Sequence, residues 1–252
     1  MASSLSEPNQ VIQLRDHHRS FGDIIEFSNS EFYEGKLRVA TNYDKLKCPK
    51  NVPAGIRWVD VVGKTVRPST GSAYNDSEVS AIIEEIKRLV IDNTYTGTVG
   101  VVTPFKAQAE RIEKAIVKDT TLKNALLKND FLVDTVHKFQ GDERDMILFS
   151  PVISQGTGQG ALTFLKNTGN LFNVAITRAR SVLVVVGDMD YCSKCEVAYM
   201  EHFVEYVNRI NSQQEDKDIS TEKFSLERQY PKVSNPEQVS DWERIFYTAL
   251  FD

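Results

Sequence analysis

The apolar positions of this 252-residue chain follow two periods. Unbroken apolar runs at 146–150 and 182–187 are too short for free-standing helices and rich in Val, Ile and Leu. Such runs read as strands buried on both faces of a parallel sheet. Similar runs place strands near 56–62, 98–103, 131–136, 145–151 and 182–187. Between them the spacing becomes helical. Ile24, Ile25, Phe27 and Phe32 share a face, with Gly35 as a stop. Val79, Ile82, Ile83, Ile86 and Leu89 share another, behind an Asn75–Glu78 capping box. Ala107, Ile112 and Ile116 mark a third helix; Val197, Met200, Phe203, Val204 and Val207 mark a fourth over 196–210. Strands alternating with helices predict a single α/β domain, with a mostly parallel sheet and helices on both faces.

The intervening segments read as loops. Residues 41–55 and 66–74 carry prolines and glycines, and 154–169 holds four glycines in what reads as a mobile loop. The polar stretch 1–10 reads as a flexible lead and 11–210 as the domain. Residues 211–236 read as a linker, polar and charged at its start, and 237–252 as an amphipathic helix that could open a further domain.

Composition narrows the function only slightly. Hydrophobic content is 41% and charged content 26%, ordinary for a globular domain. No apolar run nears the roughly 20 residues that cross a bilayer, and the start lacks a signal-peptide core. No membrane partner and a cytoplasmic location are therefore expected. The net charge of -5 argues against a broad positive face, so any nucleic-acid contact must be local. Cys192 and Cys195 form the one C-x-x-C. Without a second pair they read as plain reduced cysteines, and no metal site is expected.

The chemistry gathers at the ends of two strands. Gln140, Gly141 and Glu143 precede one; Thr177, Arg178 and Arg180 lie on a helical approach to the other. An arginine pair facing a Gln-Gly-x-Glu turn suggests a polyphosphate and its sugar. QGDERDMILFS and NVAITRAR resemble motifs V and VI of superfamily 1 helicases. The similarity extends in the family's order to LRDHHRS, EFSNSEFYEGKL and VGVVTPFKAQAERI, over roughly residues 11 to 210. The branch is the one containing the helicase of nonsense-mediated decay, with a bacterial member the expected source.

That resemblance implies the second, C-terminal RecA-like domain of a two-domain motor. It implies arginine fingers at Arg178 and Arg19, with Gln140 and Gly141 near the terminal phosphate and Glu143 on the ribose. It implies base stacking at His18, weaker than from the Tyr that many relatives carry there. The family often has Arg at the position of Asn170, so a phosphate contact there is not carried over. The TPFKAQ stretch resembles motif IV, which implies a nucleic-acid phosphate at Thr103 and Lys106; Thr135 is a further single-strand contact. The physical warrant is that helix N-termini expose N–H groups and a positive dipole end.

Residues 63–65 read Gly-Lys-Thr, but a P-loop needs a glycine five positions before Gly63, where Trp58 stands. Asp142 and Glu143 lack the preceding apolar strand of a magnesium-binding pair. The fold implied is thus that of a P-loop NTPase without the P-loop. ATP with Mg2+ would bind only in the complete motor, against an N-terminal RecA-like domain carrying the phosphate loop. Single-stranded DNA or RNA would be the other partner. The alternative is a non-catalytic nucleic-acid-binding or regulatory module on the same fold.

Overall fold

The computed structural model describes residues 15–69, 71–139 and 141–227, excepting the side chains of 214–227. The expected lead over 1–10 and C-terminal helix over 237–252 lie outside the described residues, as does Gln140. Five strands form one parallel sheet: β3 (Gly55–Asp60), β4 (Val99–Thr103), β5 (Leu132–Thr135), β6 (Arg144–Phe149) and β7 (Ala179–Gly187), in the order β3-β7-β6-β4-β5. A separate parallel pair, β1 (Asp16–His17) with β2 (Arg38–Val39), sets His17 opposite Val39. Two residues are too few to leave a periodicity signal, and this pair was not expected.

The buried runs alternate between the two faces, as a strand's period of two requires. On β7, Leu183 and Val185 join one core cluster, while Val182, Val184 and Val186 join the other. On β6, Ile147 and Phe149 oppose Met146 and Leu148 in the same way. The first cluster packs against α1 (Gly22–Phe32), α5 (Gln159–Asn167), α6 (Gly169–Ile176), the short α7 (Met189–Cys192) and the start of α8 (Ala198–Glu227). The second packs against α2 (Asp76–Ile86) with its wider turn over 87–92, α3 (Lys106–Lys118) and α4 (Thr120–Leu126). A parallel sheet covered on both faces is the α/β architecture that the strand–helix alternation predicts, and it agrees with the RecA-like domain that the resemblance implies.

Three segments differ from expectation. The 154–169 stretch is not a mobile loop throughout, because α5 occupies 159–167. Its glycines flank or open the helix, and Ala161 and Leu165 bury its face. Helix α4 was missed; Asp119, whose side chain accepts from Leu122 N–H at 3.0 Å, is the cap that could have announced it. Helix α8 runs to Glu227, across residues expected as linker. That stretch has no Gly or Pro to stop a helix, and polarity alone does not break one. The compact unit closes at Ile210, with 211–252 forming a second unit.

The capping box is the instructive correction. Asn75 does cap α2, accepting from the N–H groups of Ser77 and Glu78. Glu78 does not reach back to the Asn75 N–H, which donates to Gln108 Oε1 at 2.9 Å. Its fully buried carboxylate instead accepts from Ser150 Oγ at 2.6 Å, Val152 N–H at 3.0 Å and Asn75 Nδ2 at 3.1 Å. Val152 has φ 58°, a left-handed backbone that a β-branched residue rarely adopts. The carboxylate holds that strained residue at the exit of β6. Thr65, of the Gly-Lys-Thr triplet, belongs to the same network, bonding Ser154 Oγ at 2.9 Å.

Burial pushes Glu78 up from 4.5 to about 8, with Asp188 adding to the rise. A carboxyl raised in the folded state contributes stability that is full below its unfolded pKa and is lost as pH rises towards the folded value. Urea midpoints measured from pH 5 to 8 should therefore fall through a Glu78 contribution. In Glu78→Gln that component should be absent, giving a flatter profile.

Candidate functional site

Two open clefts lie at opposite ends of the sheet. The first, of about 540 Å³, sits at the amino ends of β6 and β7. Asp16, His17, His18, Arg19, Tyr33 and Glu143 line it together with Thr177, Arg178 and Arg180. The second, of about 460 Å³, sits at the carboxyl ends of β4 and β5.

Pairing of β6 with β7 brings the first cleft together. Arg144 N–H donates to the Arg178 carbonyl at 3.0 Å, so Glu143 stands beside the arginines. Phe21 N–H donates to the Arg180 carbonyl at 2.8 Å, which ties the entry of α1, and with it Arg19, to the same strand. Arg19 Nε then lies 2.6 Å from Glu143 Oε2. Arg178 is anchored by backbone, Nε donating to the Val174 carbonyl at 3.1 Å and Nη1 to the Asp142 carbonyl at 3.2 Å. Burial and the neighbouring Arg19 lower its pKa, but a guanidinium remains charged throughout the ordinary range.

Arg180 is not on a helix. It is the second residue of β7, with Nε 3.8 Å from Glu143 and Nη1 3.7 Å from Asp145. Arg178, in the turn that leads into β7, and Arg180 both line the cleft. Gly141 has φ 99° with open space around it, so the turn needs a glycine there and leaves its backbone approachable. His18 lies at the cleft wall with Nδ1 donating to the Ala40 carbonyl at 3.1 Å. His17 and Tyr33, also at the wall, were missed. The EFSNSEFYEGKL stretch held Tyr33 in view, but helical spacing offered no reason to single it out.

At the second cleft the expected residues separate. Lys106 and Thr135 line it, while Thr103 is wholly buried, its hydroxyl accepting from Phe105 N–H at 3.4 Å. A phosphate reaching that cleft does not meet the Thr103 side chain. The amino end of α3 is partly occupied as well, because Ala107 N–H donates to Ser72 Oγ at 2.8 Å. Arg67, Lys138 and Phe164 join the lining unannounced, and His137 is exposed there. Lys138 is paired with Asp134 at 3.1 Å and Lys106 with Glu110 at 3.5 Å.

Neither cleft is built for a metal. Among the described residues no three His, Cys, Asp or Glu side chains could hold one. Glu143 is engaged by arginines, and Asp16 is paired with Arg38 at 2.7 Å. Cys192 and Cys195 are free and buried. No helix among the described residues is long and apolar enough to cross a membrane.

A family model described as an AAA domain matches residues 1–190. The chain belongs to that AAA domain family. Relatives of this AAA domain are helicases by name. It is 33% identical to Helicase sen1 of Schizosaccharomyces pombe over 72% of this chain and 11% of that protein. It is 30% identical to the DNA polymerase alpha-associated DNA helicase A of Saccharomyces cerevisiae over 77% and 30%. It is 29% identical to the Regulator of nonsense transcripts 1 homolog of Arabidopsis thaliana over 73% and 15%. The AAA domain thus spans less than a third of the length of these eukaryotic relatives. A solved C-terminal domain of a possible DNA helicase from Lactobacillus plantarum matches with TM-score 0.40 and 14% identity, over 68% of this chain and 87% of that one.

Phe139, two residues before Gly141, is fully buried, and its carbonyl accepts from Asp142 N–H at 3.1 Å. Gly100 admits the ring: a methyl group at that position would stand 2.7 Å from it. Phe139→Ala should cost about 3–5 kcal/mol, the scale for a large-to-small change in a core. A urea titration comparing the two proteins checks this.

Proposed function

We propose that this domain is the C-terminal motor wall of an ATP-dependent helicase, closing on a nucleotide held by an N-terminal RecA-like domain. The observation that carries the reading is the first cleft, where Arg19, Arg178 and Arg180 converge around a single carboxylate. Planar, permanently charged guanidiniums suit the equatorial oxygens of a transferring phosphoryl group. Arg178 is held by two carbonyls and presents the rest of its fork, the posture of a fixed electrostatic brace. Glu143, held between Arg19 and Arg180, orients both and keeps an oxygen edge for a sugar hydroxyl. Gly141 leaves backbone accessible beside them, next to Gln140.

Magnesium has no place in this wall, because the carboxylates near the arginines are already paired with cations. Its ligands and the phosphate loop belong to the opposing domain. The Gly-Lys-Thr triplet supports the division of labour: Thr65 is locked in the Glu78 network, and Gly63 packs against Asn75. The second cleft suits a single-stranded nucleic acid, with Lys106, Lys138 and Arg67 at its edges and Thr135 on its floor. It lies beyond the carboxyl ends of the strands, where open α/β sheets usually take ligands.

The isolated chain should hydrolyse ATP at background rate, with or without nucleic acid. In the complete motor, Arg178→Ala should leave nucleotide binding largely intact and lower turnover by about 10³. Loss of binding with normal turnover of the bound enzyme would overturn the brace assignment. Oligonucleotide binding by the chain alone should be weak, with a salt slope near one or two. Lys106→Ala should reduce that slope by about 0.7 for a single strand. A Lys106→Ala slope equal to the parent's would remove the second cleft from the strand path.

A further inference from the structure

The first cleft contains a polar group that neither motif comparison nor charge points to. His17 is half-buried in β1, two positions before Arg19, and lines the cleft together with Arg178. The Ser20 backbone N–H lies 2.9 Å from His17 Nε2. A backbone N–H only donates, so Nε2 must present its lone pair, and the ring's one proton is then on Nδ1. Two surroundings hold the ring in this neutral form. Burial is the larger; the charges of Arg19, His18 and Arg178 add to it, bringing His17 from 6.5 down to about 4. Among the described residues no group accepts from Nδ1, and it is not among the buried atoms left without a partner. Nδ1–H is therefore an accessible, unused donor on a residue that lines the cleft with the arginines.

Next door, His18 is oriented the opposite way. Its contact to backbone is made by Nδ1, which donates to the Ala40 carbonyl.

We propose that His17 is a binding residue of this cleft, donating Nδ1–H to an oxygen of a polyphosphate seated between Arg19 and Arg178. The proposal rests on the nucleotide reading of the cleft and adds a residue to it. A neutral donor fits the position physically. Three arginines already line the cleft, and a further cation would repel them before any anion arrived. An imidazole N–H adds a directed hydrogen bond without that repulsion, and its partner atom Nε2 is fixed by a backbone amide. The ring therefore arrives oriented, with little rotamer freedom left to lose on binding.

The test uses the 252-residue chain labelled with 15N in histidine and arginine side chains, titrated with tripolyphosphate and separately with adenosine. Before ligand, His17 should show the Nδ1–H neutral tautomer from pH 8 down to about 5. Tripolyphosphate should shift the His17 Nδ1–H signal downfield and slow its exchange with water; adenosine should not. His17→Leu should weaken tripolyphosphate binding about tenfold, the scale of one hydrogen bond to a charged group. His17→Gln can both accept from Ser20 and donate to phosphate, and should lose less than about threefold. The proposal is overturned if the ring carries its proton on Nε2. It is overturned equally if tripolyphosphate shifts the Arg19 and Arg178 side-chain signals while His17 stays unmoved. Tripolyphosphate that moves none of the three would discard the nucleotide reading of the cleft itself, and the role of His17 with it.

Discussion

The register between β6 and β7 is the constraint on which the functional surface depends. Met146 pairs with Val182 and Phe149 with Val185, along two strands that are buried almost throughout. A slip of one residue would turn every side chain to the wrong face and exchange the two cores. The same register ends at Arg144 against Ala179, with an irregularity before Met146. Glu143 therefore emerges level with Arg178 and Arg180, and Phe21 is stitched to the Arg180 carbonyl beside them. The charged cleft is the frayed edge of a hydrophobic fit: its geometry is inherited from Val, Ile and Leu packing several residues away.

This explains what could be read in the chain beforehand. The central strands β6 and β7 were the most visible because a doubly covered parallel strand is apolar along most of its length, whereas the edge strands β3 and β5 are only partly buried. Gly141, Glu143 and Arg178 drew notice because glycine and charge stand out where an apolar run begins, whereas Arg19 drew notice only through the resemblance to the helicase motifs. Less was legible wherever a residue type serves two purposes. The glycines at 156, 158 and 160 suggested a mobile loop, yet they precede or open α5. Glu78 sat at the spacing of a capping box, and its spacing said nothing of the Ser150 and Val152 groups that claim it across the fold. Thr103 ended a strand as a phosphate ligand would, but its burial depends on Phe105 and the turn that follows.

His17 illustrates a different limit. Its neighbours in sequence are an aspartate and a histidine, with an arginine two positions away on either side, and composition alone would count the stretch as mostly basic. The fold instead uses one backbone amide, from Ser20, to decide which nitrogen holds the proton. Protonation state here is a property of tertiary packing and leaves no trace in residue order.

The two clefts occupy opposite ends of one sheet, and that placement has a mechanical consequence. The six residues of β6 span about 20 Å at the usual rise per residue. Its side chains are wedged between two close-packed layers of low compressibility. A body of this kind does not absorb a displacement by yielding locally. If the arginine-lined edge is drawn a few ångströms towards a ligand, the far edge travels with it. The domain behaves as a strut, and the distance gained at one cleft is delivered almost undiminished at the other.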